Sequence, residues 1–539
     1  MKVEDPSIVT SGISSSGAAV PRSVGIEEDD RHQKHFKTDH LLNNLKGHTI
    51  SSGTVTMSAQ GGKFLLSMVS TMILARLLTP RDFGLVAMVT TVTGFLGVFK
   101  DAGLSIATVQ REKITHAQVS NLFWINIAVS AVIALTLATA APVIARFYHT
   151  PRLVGITLFL SLTFLISGST IQHLALLKRQ MRFKALALIE VGSMVVGVLV
   201  GVVMALLGYS YWSLVGSSVS METAGVVLTW SVSRWRPQLP ARGSGIGPLV
   251  SFGAHRTAGD FILTLARGTD NLLIGRFYGS AAVGLYSRAS VLLIRPLEQF
   301  LGPINAVFIP ALSRLQSQPE RYRSTFLRLY EAIALTGFLF TGLCLALARP
   351  ITLVLLGPKW EQASVIFGGF TIAALCIPLA NASAWLFTSQ GRGRDMLIAQ
   401  SINACAVFLS FLVGLPFGPV GVAIAFSVSN LLVRIPIYYF CVGRRGPVKT
   451  ADLWRVFLRH LPVWIVVFFI TSLTRMLVAN QAPLVQLFIC GAAGLLAGAA
   501  FIYSFSPQRQ VATHLLETLR ELKKNRLDKN NEYAKKRQR

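Results

Sequence analysis

Residues 251–279 read SFGAHRTAGDFILTLARGTDNLLIGRFYG, an apolar segment of membrane-helix length that nonetheless carries Arg256, Asp260, Arg267 and Asp270. On a helix that turns about 100° per residue these four fall within an arc of about 80°, so they share one face. In the next apolar segment Arg288 and Arg295 stand one heptad apart and roughly aligned, with Glu298 about 60° around from Arg295. An ionised side chain at the centre of a membrane helix costs about 3 kcal/mol on translocon scales, so such groups face a bundle interior or a wet cavity and pair with one another. The chemistry on offer is ion binding. The arginines would hold an anionic ligand between the two halves of the chain, and Asp260, Asp270 and Glu298 would balance them. The alternative is that they lock helices together as structural ion pairs, or that terminal members such as Lys63 and Arg256 snorkel to the interface. Glu190 and Glu222 have no cation beside them in sequence, which makes them candidates for a proton or sodium site. Asp101 beside Lys100 fits local pairing, and His173, near a helix end, reads as interfacial.

Of the 539 residues in the chain that carries these groups, 52% are apolar and 14% are charged, with a mean hydropathy of +0.54. Ordinary soluble domains carry about 25% charged residues, so the chain reads as an all-α polytopic membrane protein. A span needs about 20 mostly apolar residues, which predicts about fourteen helices. They fall at about 53–75, 83–107, 120–141, 154–172, 185–207, 211–232 and 249–273 in the first part of the chain. The second part gives about 283–308, 330–348, 362–381, 396–415, 419–441, 460–474 and 484–505. With a cytoplasmic N-terminus, the inside loops hold twenty Lys and Arg and the outside loops eight, the asymmetry that the positive-inside rule requires. Both termini are then cytoplasmic. The net charge of +27 reads mainly as topology, and no nucleic-acid partner is expected, because the basic tail carries a single aromatic residue, Tyr533, and no series of them for bases to stack on. The five cysteines are scattered singly through apolar stretches and read as packing residues, with no metal site and no cofactor expected.

The chain also repeats itself weakly. LARLLTPRDFGLVA from Leu74 aligns with IGRFYGSAAVGLYS from Ile274 at an offset of 200, and LLKRQMRFKALALIE from Leu176 aligns with LFTSQGRGRDMLIAQ from Leu386 at an offset of 210. An offset spanning six helices gives two parallel six-helix lobes around a central cavity. The expected order is a flexible cytoplasmic tail over 1–50, an N-lobe over 51–233, a Pro/Gly-rich linker over 234–248 and a C-lobe over 249–445. Two further helices follow over 446–506, and a basic amphipathic tail over 507–539 is suited to lie on an anionic inner leaflet.

The phrases ARLLTPRDFGLVAM, KDAGLSIATVQREKIT, LLKRQMRFKALALIEV and GLYSRA followed by FIPALSRLQ resemble the Wzx-type polysaccharide exporters of the multidrug/oligosaccharidyl-lipid/polysaccharide flippase superfamily, including rhizobial exopolysaccharide exporters. The resemblance covers about residues 45–445 and leaves the tails outside. It implies fourteen helices in two lobes around a V-shaped cavity. It also implies export of a polyprenyl-diphosphate-linked oligosaccharide from the inner to the outer leaflet of the bacterial inner membrane, by alternating access, for exopolysaccharide or lipopolysaccharide synthesis. Some members couple transport to protons or sodium. Membrane lipids, a polysaccharide polymerase and export machinery would be its surroundings and partners. The diphosphate is a ligand that arginine grips through its planar fork. Two rivals remain: a drug/cation antiporter of the same superfamily, disfavoured because its cavity would be acidic or aromatic, and a membrane polymerase or ligase, disfavoured because no large outer loop is present.

Overall fold

Glycine and proline set where the helices begin and stop. The computed structural model describes residues 45–101, 103–111, 114–241, 247–506, 508–513 and 517. Side chains at 45–55, 248–256, 258–260, 262–263, 265–267, 298–300, 303 and 306 lie outside that description. Most of both expected tails does too.

The first half comprises α1 (Leu45–Leu77), α2 (Pro80–Asp101), α3 (Leu104–Gln110), α4 (His116–Phe147), α5 (Leu153–Gly168), α6 (Ile171–Arg179), α7 (Phe183–Leu206) and α8 (Trp212–Ser233). The second half comprises α9 (Gly247–Ser313), α10 (Pro319–Ala346), α11 (Ala348–Leu356), α12 (Ala363–Ser389), α13 (Gly393–Gly414), α14 (Gly418–Ser429) and α15 (Ile435–Gly443). It is followed by α16 (Thr450–Leu477) and α17 (Pro483–Ser504). No strand occurs among the described residues. α2 and α3 are parted at Gly103, whose φ of 65° suits a residue without a Cβ. α4 starts at a reciprocal Thr115–Gln118 cap, which satisfies two otherwise orphaned backbone donors. The long α9 turns at Gly279, φ 78° and ψ −177°, into arms 247–278 and 280–313.

The expected spans at 249–273 and 283–308 share α9, and those at 83–107, 154–172, 330–348 and 419–441 each run across more than one of these helices. Nine helical stretches among the described residues are long and apolar enough to cross a membrane, or ten if the pair α5–α6, bent by 41°, counts as one span. One stretch, 393–443, has 51 residues. At 1.5 Å per residue that is about 75 Å, more than twice the hydrocarbon thickness, and Gly418 breaks it with a φ of 72°. The chain is an all-α polytopic membrane protein.

The repeat reappears in the backbone. Met181 and Gly391, 210 residues apart, both have positive φ, 53° and 68°. The residues after them, Arg182 and Arg392, share an unusual conformation near φ −80°, ψ 58° and φ −86°, ψ 55°. Two apolar surface grooves of about 690 and 670 Å³ also correspond: Val215, Gly216, Val219 and Ser220 line one, and Val420, Gly421, Ile424 and Ala425, each 205 residues on, line the other.

Two expectations change. α1 begins at Leu45, inside the segment expected as tail. The linker is largely exposed over 236–241, where Arg236, Gln238 and Ala241 offer their carbonyls to His116, Trp124 and Asn121 of α4. His173 is fully buried against Phe123, Trp230 and Trp235 instead of interfacial. It sits on α6, just past the bend from α5.

Candidate functional site

The two halves meet where α2 runs against α9, and backbone approaches backbone there. A Cβ on Gly84 would lie 1.6 Å from the Ser280 carbonyl oxygen, and a Cβ on Gly284 would lie 1.8 Å from the Pro80 carbonyl oxygen. Pro80 and Ser280, like Gly84 and Gly284, are 200 residues apart, so the contact is self-complementary in the manner of a two-fold interface. Around it Trp360 donates its indole N–H to the Ala75 carbonyl at 2.8 Å and packs edge-on against Phe83 at 5.3 Å. Arg76 donates to the Val354 carbonyl at 2.9 Å. A single apolar core runs through both halves here, with Phe83, Met88 and Tyr148 packed with Ile274, Tyr286 and Phe367.

Next to this contact stands Arg288. Its guanidinium lies 4.9 Å from the Phe83 ring centre, a cation–π contact that gains strength where water is excluded. Its Nε is enclosed without a hydrogen-bond acceptor, and no carboxylate pairs with it among the described residues. Arg295 follows one heptad later, about 10 Å along the axis, and its side chain is exposed. Asp270, on the other arm of α9, is engaged elsewhere. It accepts the Tyr286 hydroxyl at 3.0 Å and the Asn271 backbone N–H at 2.7 Å. The structure thus brings Arg288 to an aromatic face, and Asp270 to a tyrosine that ties the two arms of α9 together. The side chains of Arg256, Asp260, Arg267 and Glu298 lie outside the described residues, although their backbone belongs to α9.

Two candidate acids of the first half face cations. Glu190 on α7 receives the Lys63 ammonium of α1 at 2.8 Å. Glu222 on α8 lies within electrostatic range of Lys100 at the end of α2. Asp101 caps the following helix by accepting the Ser105 backbone N–H at 2.9 Å. Neither Glu190 nor Glu222 has its cation nearby in sequence, which is why local reading left them alone. Polar amides are satisfied internally as well: Thr108 donates to Gln172, and Gln172 donates to Asn126, each at 2.8 Å and fully enclosed apart from Asn126's two backbone contacts at 3.3 Å.

The sequence shows Arg434 as a charge inside an apolar segment, but not the amides that make it part of a second polar group in the C-terminal half. A π-helical turn, Asn430–Arg434, interrupts the helix between α14 and α15. Arg434 donates from Nη1 to Asn430 Oδ1 at 3.2 Å and from Nη2 to Asn381 Oδ1 at 2.9 Å, across to α12. One turn along α12, Trp385 donates its indole N–H to Asn305 Oδ1 on α9. Neutral amides raise no alarm in a hydropathy scan.

This architecture is a fold shared with solved flippase and multidrug-transporter structures. The fold is similar to a lipid II flippase, MurJ, in an inward closed conformation, with a TM-score of 0.65, 13% identity, and 84% of this chain and 99% of that one covered. It is also similar to an inward-facing multidrug resistance transporter of the MATE family, with a TM-score of 0.54, 14% identity, and 75% and 99% coverage. A family described as "Polysaccharide biosynthesis protein" matches residues 73–365, and the chain belongs to it. Named relatives include the teichuronic acid biosynthesis protein TuaB of Bacillus subtilis, 27% identical over 76% of this chain and 82% of that protein. The lipopolysaccharide biosynthesis protein WzxC of Escherichia coli is 24% identical over 74% and 83%. The succinoglycan biosynthesis transport protein ExoT of Rhizobium meliloti is 29% identical over 59% and 66%.

Proposed function

We propose that this protein flips a polyprenyl-diphosphate-linked oligosaccharide from the cytoplasmic to the outer leaflet of the bacterial inner membrane, for exopolysaccharide or lipopolysaccharide synthesis. The observation that carries the reading is Arg288, a membrane-embedded cation with an enclosed Nε, no carboxylate partner among the described residues, and Arg295 exposed one heptad away. A charge left uncompensated at that depth is stabilised when an anion arrives, and a diphosphate matches the guanidinium fork. Arg256 and Arg267 extend the same set along α9. The relatives named for polysaccharide biosynthesis and transport support the substrate class.

With both termini cytoplasmic, the Gly84–Gly284 contact lies at the outer end of the helices. The halves are then closed to the outside and must part there for release, while the lipid tail stays in the bilayer. Asp270, Asp260 and Glu298 are the groups through which protons or sodium would couple, while Glu190 and Glu222, each met by a lysine, hold helices together. No catalytic role is assigned, and a polysaccharide polymerase and the export machinery are the partners expected to take up the product. A cation antiporter fits less well, because the uncompensated side chain at the contact between the halves is basic.

The test is the sidedness of lipid-linked repeats after depletion of the protein, read with a membrane-impermeant glycan-modifying reagent. Protection of the accumulated repeats in intact cells supports a flippase. Repeats that are modified as in undepleted cells would rule it out.

A further inference from the structure

We infer that Asn305 and Asn381, braced by Trp385 and Arg434, form a subsite that binds the sugar hydroxyls of the transported lipid, an inference that rests on the flippase reading above. Both amide orientations are fixed by their neighbours. The Trp385 indole and the Arg434 guanidinium can only donate, so Asn305 and Asn381 must each turn Oδ1 toward them. This leaves each Nδ2 pointing away. Neither Nδ2 meets an acceptor among the described residues, neither is enclosed, and both side chains are half-buried.

Two unspent amide donors in a membrane-embedded group are costly unless water or a ligand meets them. Their chemistry selects the ligand. The carbonyl oxygens are already occupied, so a metal cation finds no ligand from these two residues. Amides carry no charge, and Arg434 already shares its guanidinium between two amide oxygens, so a diphosphate finds a better site at Arg288 and Arg295. What remains is a neutral, oxygen-rich acceptor, which is the description of a sugar. The π-helical turn is what swings Arg434 onto both amides, and such turns recur at functional sites. Asn305 lies ten residues beyond Arg295 on the same arm, about 15 Å along the axis. An oligosaccharide whose diphosphate is held at Arg295 can extend to it.

The test is native mass spectrometry of the detergent-solubilised full chain with two lipids in competition. One is undecaprenyl diphosphate, and the other is the lipid-linked repeat extracted from cells depleted of the protein. Wild type should favour the glycosylated lipid, and Asn305→Ala or Asn381→Ala should each lower that preference about tenfold, as expected for a lost hydrogen bond in a desolvated site. Binding of undecaprenyl diphosphate alone should be unchanged, which also shows that the variants are folded. Asn305→Ser and Asn381→Ser are the milder variants if alanine lowers yield. Should the variants keep the wild-type preference, or wild type show none, the subsite is refuted and the flippase reading stands. Should wild type bind neither lipid, the flippase reading fails and the subsite with it.

Discussion

Two sets of polar side chains in this protein, one in each half, are handled in opposite ways. In the first half Lys63 meets Glu190, Lys100 lies near Glu222, and Thr108, Gln172 and Asn126 close a network on themselves. In the second half, among the described residues, Arg288 rests on an aromatic ring without an acid, Arg295 is exposed, and two amides keep a free donor. Satisfied polar groups hold helices together. Arg288 and the two amides, left without an acid or an acceptor among the described residues, are the ones with work left to do.

The harshest way to break this comparison is to act on the contact that joins the halves. Gly84→Leu or Gly284→Leu should abolish export, because even the Cβ would overlap a carbonyl oxygen and helix backbones this close need small residues. The expected signature is normal protein level with an outer end held open, measured as labelling of a cysteine at Ser280 by a membrane-impermeant maleimide. Next in size, Arg288→Gln and Arg295→Ala should each lower export by about 100-fold or more, as removal of a cation that neutralises the moving phosphates does in phosphate-binding sites. Export is measured as polymer released per cell at matched protein level.

Effects in the first half should fall on stability. Gln172→Leu strands the Asn126 Oδ1 in an enclosed site, at a cost of about 1–3 kcal/mol, and leaves the Thr108 hydroxyl only its bond to the Leu104 carbonyl. A lower thermal midpoint in detergent, with export retained in proportion to folded protein, is the expected result. Smallest of all, the double variant Lys63→Met, Glu190→Leu should change stability by no more than about 1 kcal/mol, since both side chains are partly solvated, 31% and 41% exposed. It should export normally.

Much of the fold was legible because it depends on local composition. Apolar runs of membrane length mark the helices, and Gly279 and Gly418 turn them where a positive φ is needed. The repeat could be read at Gly84 and Gly284, although nothing in the sequence said that these two glycines touch. What stayed hidden depends on distant partners. Glu190 finds its cation 127 residues away, and His173 is buried by Trp230 and Trp235, more than fifty residues downstream. Arginines in an apolar segment are conspicuous, so Arg288 and Arg295 were found. Asn305 and Asn381 were not, because an amide costs too little in a hydropathy scan to stand out and acquires meaning only once its neighbours are known to be donors.

The most direct measurement sets the two halves against each other in one strain. Cells depleted of the wild-type protein would carry either Arg288→Gln, Arg295→Gln or Lys63→Met, Glu190→Leu, and the sidedness of lipid-linked repeats would be read with an impermeant glycan-modifying reagent. The account predicts repeats trapped on the cytoplasmic leaflet with the arginine pair replaced, and normal delivery to the outer leaflet with the ion pair replaced. Normal delivery by the arginine variant would contradict it.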